Sequence, residues 1–159
     1  IIEKIKHDEL NLNVNLFKKH LNLNLTESIN YNLITLILYL YLKKINSFKL
    51  LNNLGDAGYL LFNSPYIEID KIKVTSDKVN SLFDHEKINN FINLKTVKNI
   101  LEIGAGLGRT SQAILDLEKV ENYVICDIPP ALYLSYKRLT TAFSEKKLIF
   151  YMKYLIRKI

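Results

Sequence analysis

Three of the chain's five glycines lie within the segment Leu101–Arg109 (LEIGAGLGR). They follow the apolar stretch Asn99–Ile103, which predicts a buried strand, and they precede a helical pattern. Glycine lets a backbone approach a ligand without a Cβ atom in the way, and the N–H groups that begin a helix can bind that ligand. We therefore predict a ligand-binding turn formed by Gly104, Ala105, Gly106 and Gly108. The alternative is a tight turn that needs small residues for packing.

Two carboxylates accompany this turn in the sequence. Glu102 stands two positions before the first glycine, and Asp127 ends the next predicted strand, nineteen positions after Gly108 (127 − 108). An acid about 20 residues beyond such a turn can accept hydrogen bonds from both ribose hydroxyls. A carboxylate at Glu102 is unsuited to a pyrophosphate but suits an ammonium group. S-adenosylmethionine carries a ribose and an ammonium group and no phosphate, so it is the predicted cofactor. A helix N-cap or loop aspartate is the alternative for Asp127.

Two other nucleotide classes fit the glycine spacing less well. The dinucleotide fingerprint G-x-G-x-x-G would place its third glycine at position 109, where this chain has Arg109. The triphosphate-binding pattern G-x-x-x-x-G-K-[ST] does not occur. A dinucleotide-binding oxidoreductase domain remains the alternative reading of this turn.

The glycine segment resembles motif I of the class I S-adenosylmethionine-dependent methyltransferases. The segment Tyr123–Leu139 (YVICDIPPALYLSYKRL) is similar to a narrower group, the sugar O-methyltransferases of bacterial surface-polysaccharide gene clusters. The segment Ser64–Leu82 (SPYIEIDKIKVTSDKVNSL) resembles that group's lead-in to the binding domain. The resemblance covers the second half of the chain well and the first half loosely, and motif I specifies only the superfamily.

The resemblance implies an enzyme that transfers a methyl group from S-adenosylmethionine to a sugar hydroxyl, on a small-molecule or glycan acceptor. It implies that Asp127 holds the ribose and that Glu102 orients the amino-acid end of the cofactor. The methionine part would lie in the cradle of Gly104, Gly106 and Gly108. The catalytic base is unassigned.

The elements that position these residues divide the chain into two predicted regions. Residues 1–95 indicate a mainly helical region with a small hairpin near 66–74, and apolar residues recur at helical spacing from about Asp8 to Leu51. Residues 96–159 alternate strands and helices, which predicts an α/β fold: a partial Rossmann-like domain with a parallel sheet. Its predicted elements are strands Asn99–Ile103, Asn122–Asp127 and Leu148–Met152, and helices Arg109–Leu117 and Pro129–Phe143.

Few side chains suggest a catalytic base or a metal site. Asp84-His85-Glu86 is the one acid–histidine cluster upstream of the glycines, and a solvated turn of a helix is the favoured interpretation of His85. We predict that Cys126 is a buried strand residue rather than a nucleophile, because its neighbours are not basic. No metal-ligand spacing occurs.

Composition narrows the class of protein. The net charge of +6 is scattered, and no motif of a nucleic-acid-binding module is present, so no nucleic-acid partner is expected. The single cysteine and the absence of a secretory signal favour a cytoplasmic protein. The strongest apolar run, Leu33–Leu42, is about half the length of a membrane span and predicts a buried helix instead.

The resemblance also leads us to expect a fragment. The methyltransferase fold has a seven-stranded sheet, whereas this sequence starts with Ile1 and ends near the third predicted strand. We therefore expect the N-terminal part of an enzyme. An inactive truncated remnant with no catalytic role is a further alternative.

Overall fold

The computed structural model describes residues 18–45, 48–143 and 149–151, which form a mixed α/β architecture. Its helices are α1 (Leu25–Lys44), α2 (Phe48–Leu51), α3 (Asp56–Tyr59), α4 (Ser76–Phe91), α5 (Arg109–Leu117) and α6 (Pro129–Ala142). Its strands are β1 (Ile67–Ile69), β2 (Ile72–Val74), β3 (Asn99–Ile103), β4 (Asn122–Cys126) and β5 (Ile149–Tyr151). Within these ranges, no helix combines the length and the apolar character needed to cross a bilayer.

Helix α1 starts at a complete capping box. The Asn24 side chain accepts a hydrogen bond from the Glu27 backbone N–H at 2.9 Å, and the Glu27 carboxylate accepts one from the Asn24 N–H at 2.8 Å. This reciprocal arrangement satisfies two N–H groups that a helix start leaves without partners. The helical prediction for Asp8–Leu51 is therefore wrong over 18–24, which forms no helix, and its first residues lie outside the described ranges.

The predicted hairpin is confirmed, and a helix capped by Thr75 follows it. Strands β1 and β2 pair antiparallel, and the turn residues Asp70 and Lys71 both have positive φ (50° and 67°), as a two-residue turn of type I′ requires. Thr75 caps α4, since its hydroxyl accepts a hydrogen bond from the Lys78 N–H at 3.0 Å. Helix α4 buries Val79 and Leu82 fully and Phe83 partly.

The second half of the chain contains the predicted parallel sheet. Its strand order is β3-β4-β5, with both pairings parallel, and helices α5 and α6 follow β3 and β4. Helix α6 begins with Pro129 and Pro130, whose missing N–H groups cost nothing in the first turn. The register pairs Ile103 with Cys126, so β3 and β4 end side by side.

Only one face of this sheet is covered by α5 and α6. Ile125 and Tyr123 of β4 pack with those helices in a shared apolar cluster, and Ile100 of β3 contacts it. On the opposite face, Leu101 is 62% and Ile103 79% exposed. The sequence predicted a buried strand at β3, and that prediction is wrong for one of its two faces.

Helix α1 shows a similar departure from its sequence pattern. Its buried residues include the polar Ser28, Asn32 and Thr35, whereas Ile34 and Ile37 are more than half exposed. Asn32 is held by His20, whose Nε2 lies 2.7 Å from the amide oxygen. The run Leu33–Leu42 is thus helical as predicted, but the prediction that it is buried is wrong for part of it.

The N-terminal helices pack directly against α5 and α6. Arg138 of α6 is 2% exposed and donates from Nη2 to the Asp77 carboxylate of α4 at 2.8 Å. The Arg138 guanidinium also lies over the Tyr59 ring, 5.5 Å from its centroid. Gln112 of α5 donates to the Gly55 carbonyl at 3.1 Å. The Gln112 contact holds α5, which begins at the glycine turn, and the Arg138 contacts hold α6.

Candidate functional site

The glycine turn occupies the gap between the end of β3 and the start of α5. Gly104, Gly106 and Gly108 have φ angles of 79°, 57° and 71°, all in the left-handed region that side chains disfavour. A Cβ atom on Gly104 or Gly106 would meet no atom within 4 Å, so the turn leaves open space at both positions. A Cβ on Gly108 would lie 3.0 Å from that of Ser135 on α6. Packing therefore explains a glycine at 108 and does not explain those at 104 and 106.

Backbone hydrogen bonds tie this turn to the end of β4. The Gly104 N–H donates to the Cys126 carbonyl at 2.9 Å, which extends the β3-β4 ladder by one residue. The Gly108 N–H donates to the Ala105 carbonyl at 2.8 Å and closes the turn on itself. The predicted binding residues Gly104, Ala105 and Gly108 therefore share one hydrogen-bonded loop.

The structure brings Asp127 and the glycine turn together. One carboxylate oxygen of Asp127 accepts a hydrogen bond from the Gly106 N–H at 2.8 Å, and the other accepts from the Ile128 N–H at 2.7 Å. A carboxylate has about four acceptor positions, so these two bonds leave capacity for two hydroxyl donors. Asp127 is partly exposed, and its neighbour Ile128 is 67% exposed. A ribose could therefore reach this carboxylate at the rim of the sheet.

Glu102 lies below the turn and is bonded within the protein. Its Oε2 atom accepts hydrogen bonds from the Ser111 hydroxyl of α5 and, at 2.8 Å, from the Tyr123 hydroxyl of β4. Burial, and next the charge of Glu102, raise the pKa of Tyr123, which keeps that hydroxyl protonated as a donor. Glu102 thus connects both strands to the first turn of α5, a function that its sequence position did not reveal.

Within the acid–histidine cluster, His85 lies away from this rim, whereas its neighbour Asp84 contacts the start of α5. His85 is buried, and its Nε2 lies 2.8 Å from Oε1 of Glu118, the C-cap residue of α5. Helix α5 spans nine residues, about 14 Å, between the glycine turn and Glu118. The pair therefore joins α4 to the far end of α5, and the prediction of a solvated position for His85 is wrong, because its side chain is buried beside Glu118.

The sequence did not predict several residues that shape the site. Ser111 and Tyr123 bind Glu102, and Asp84 of α4 accepts hydrogen bonds from Arg109 and Thr110 at the start of α5. Only the position of Ser111 in the first turn after the glycines could have indicated a contact with the loop. The other pairings join residues that are 21 or more positions apart and have no local signal.

Cys126, the last residue of β4, was predicted to be buried but is only partly buried. No group of three or more His, Cys, Asp or Glu side chains that could hold a metal occurs in the described ranges. A cavity of about 600 Å³ lies elsewhere, between the β1-β2 hairpin and the α2–α3 segment, and no residue of the glycine turn lines it. At the rim of β3 and β4, the Cβ positions of Gly104 and Gly106 face open space.

Comparisons with protein-family models, with curated proteins and with solved structures found no match to this chain.

Proposed function

We propose that this chain binds S-adenosylmethionine at the glycine turn, through the Rossmann-like arrangement β3-α5-β4-α6-β5. The single observation that supports the proposal most is the contact between the Gly106 N–H and the Asp127 carboxylate at 2.8 Å. The contact places the Gly106 backbone, which has open space at its Cβ position, beside an Asp127 carboxylate that can accept further hydrogen bonds. In open parallel sheets, ligands bind outside the carboxyl ends of the strands, which is where both groups lie.

The residues present fit this cofactor better than a phosphate-bearing one. Glu102 lies beside the turn, and its charge would repel a pyrophosphate, whereas Asp127 suits the ribose of either class of cofactor. S-adenosylmethionine presents a ribose, an ammonium group and a sulfonium beside a single carboxylate, and it carries no phosphate. Asp127 would accept hydrogen bonds from the ribose hydroxyls, and the cradle at Gly104 and Gly106 would admit the methionine part. Glu102 would act through the α5 turn that it fixes, and through its negative charge.

We further propose that the reaction is O-methylation of a carbohydrate acceptor, in the cytoplasm. This part rests on the similarity of Tyr123–Leu139 to the sugar O-methyltransferases. Bound S-adenosylmethionine supplies an electrophilic methyl group on a good leaving group, so alignment of the acceptor oxygen contributes most of the acceleration. In such a transfer, the hydroxyl oxygen would form the new C–O bond as the C–S bond broke, and its proton would pass to a base or to solvent.

Calorimetry with S-adenosylhomocysteine, S-adenosylmethionine and NAD on the same preparation tests the cofactor assignment. We expect both sulfur nucleosides to bind and NAD not to bind. Asp127→Asn keeps an acceptor for the Gly106 N–H but loses the charge and half of the acceptor capacity, and we expect it to weaken binding about tenfold or more. Cys126→Ala is the matched control one residue away, and its affinity should equal that of the wild type. Binding of NAD alone would refute the proposal in favour of an oxidoreductase domain.

Methyl transfer is tested separately, with S-adenosylmethionine labelled on the methyl group and a panel of polysaccharide and small sugar acceptors. We expect label to be transferred to a sugar hydroxyl and to resist mild base, as an ether does and an ester does not. Cofactor binding without transfer to any acceptor would contradict the enzymatic part of the proposal and support an inactive remnant.

A further inference from the structure

One carboxylate oxygen outside the cofactor rim holds the start of α5. Arg109, the first residue of α5, donates from Nη2 to Oδ2 of Asp84 at 2.9 Å. The hydroxyl of the next residue, Thr110, donates to the same oxygen at 3.1 Å. Asp84 lies on α4, twenty-five positions before Arg109 (109 − 84). Two consecutive residues that directly follow Gly108 are therefore fixed by a single side chain of another helix.

A second helix, α3, also contacts Arg109. The Tyr59 hydroxyl, from α3, donates to the carbonyl oxygen of Arg109 at 3.3 Å. Burial raises the pKa of Tyr59 well above its ordinary value, so the hydroxyl remains a donor at neutral pH. The backbone and the side chain of Arg109 are thus bonded to two different helices of the N-terminal region.

These contacts bear on the turn because α5 continues it. The Gly108 carbonyl accepts the first helical hydrogen bond, from the Gln112 N–H at 3.0 Å, so a shift at Arg109 moves Gly108 as well. Helix α4 is a firm support, since its Val79 and Leu82 are fully buried. A turn held in one conformation binds a ligand more tightly, because less ordering is left to the binding step.

We propose that Asp84 is a positioning residue for the glycine turn: it holds Arg109 and Thr110 and thereby sets the geometry in which Gly106 meets the cofactor. The inference deepens the proposed function and rests on cofactor binding at this turn. It assigns the N-terminal helices a role in cofactor affinity. The Arg109 and Asp84 side chains are 35% and 33% exposed, so the pair contributes little to global stability and its effect should be local.

Amide hydrogen exchange without any ligand tests the physical part of this inference. We expect Asp84→Asn to accelerate exchange at the amides of residues 104–112 by about tenfold, with little change in the urea midpoint. Glu118→Gln is the matched control, because it likewise removes the charge of a carboxylate that joins the same two helices, here with His85 at the far end of α5. In this control variant, the exchange rates at residues 104–112, taken relative to those of the rest of the chain, should equal the wild-type values. Equal exchange at the turn in Asp84→Asn and wild type would overturn the proposal.

Affinity provides the second readout. We expect Asp84→Asn to raise the Kd for S-adenosylhomocysteine about fivefold and Thr110→Val about twofold, because the latter loses one of the two bonds. Asp84→Glu keeps the charge and should recover part of the affinity. A loss of affinity that Glu118→Gln reproduces would indicate general destabilisation and contradict a positioning role. If the wild type binds no S-adenosylhomocysteine, the proposed function fails, whereas the exchange experiment still decides whether Asp84 orders the turn.

Discussion

Two features require glycine at position 108, the left-handed backbone conformation and the close packing against α6, and a Gly108→Ala variant tests both. Its φ of 71° lies in the left-handed region, where an alanine costs about 1–2 kcal/mol. The new Cβ would also lie 3.0 Å from the Ser135 Cβ and 3.3 Å from the Ser135 Cα, and Ser135 is fully buried. Overpacking of this kind costs about 1–3 kcal/mol. We therefore expect Gly108→Ala to lower the free energy of unfolding by about 3 kcal/mol.

Gly104→Ala is the matched comparison within the same turn. Gly104 has a φ of 79°, but its added Cβ would meet nothing within 4 Å, so only the conformational cost of about 1–2 kcal/mol applies. The difference between the two variants measures the packing of Gly108 against α6. In the Gly108→Ala background, Ser135→Gly removes the nearest contact and should recover about 1 kcal/mol of the free energy of unfolding. The low helix propensity of glycine within α6 offsets part of this gain.

Urea denaturation followed by far-UV circular dichroism gives these free energies, provided that the slope m is unchanged among the variants. We expect the order wild type, Gly104→Ala, Gly108→Ala from most to least stable. Equal stability of Gly104→Ala and Gly108→Ala, within about 0.5 kcal/mol, would refute the conclusion that α6 sets the space at position 108.

Two further predictions concern the N-terminal helices. A Cβ on Gly58 would lie 2.2 Å from the buried Gln112 amide oxygen, so Gly58→Ala should displace that amide. We expect the free energy of unfolding, measured in urea, to fall by about 2 kcal/mol. A gain in stability would contradict this packing. Burial, and next the charge of Asp70, raise the pKa of Tyr39 to about 12 from an ordinary 10. The protonated Tyr39 hydroxyl therefore contributes its full stability below pH 10, and this contribution is lost as the pH rises through 12. Melting temperatures measured from pH 9 to 12 should fall less steeply in Tyr39→Phe than in the wild type, and identical slopes would argue against this assignment.

Local signals explain which elements could be predicted. Thr75 before α4 and the proline pair at the start of α6 act within one helical turn, so the sequence indicates both starts directly. The glycine segment and Asp127 were recognised for the same reason: each follows a strand whose end is marked by local residue types. Their convergence follows from parallel pairing, which aligns the carboxyl ends of β3 and β4.

By itself, the sequence determined the order of strands and helices from the β1-β2 hairpin to β5 and the residues of the glycine turn, because capping, turn chemistry and glycine content act over a few residues. The tertiary structure alone decided which faces are buried. It exposes Ile37 of α1 and Ile103 of β3, and it buries Arg138 beside Asp77. It also decided that Asp84 reaches the start of α5 and that His85 reaches the other end. Burial and long-range pairing depend on which element packs on which, and that arrangement leaves no local mark in a single sequence.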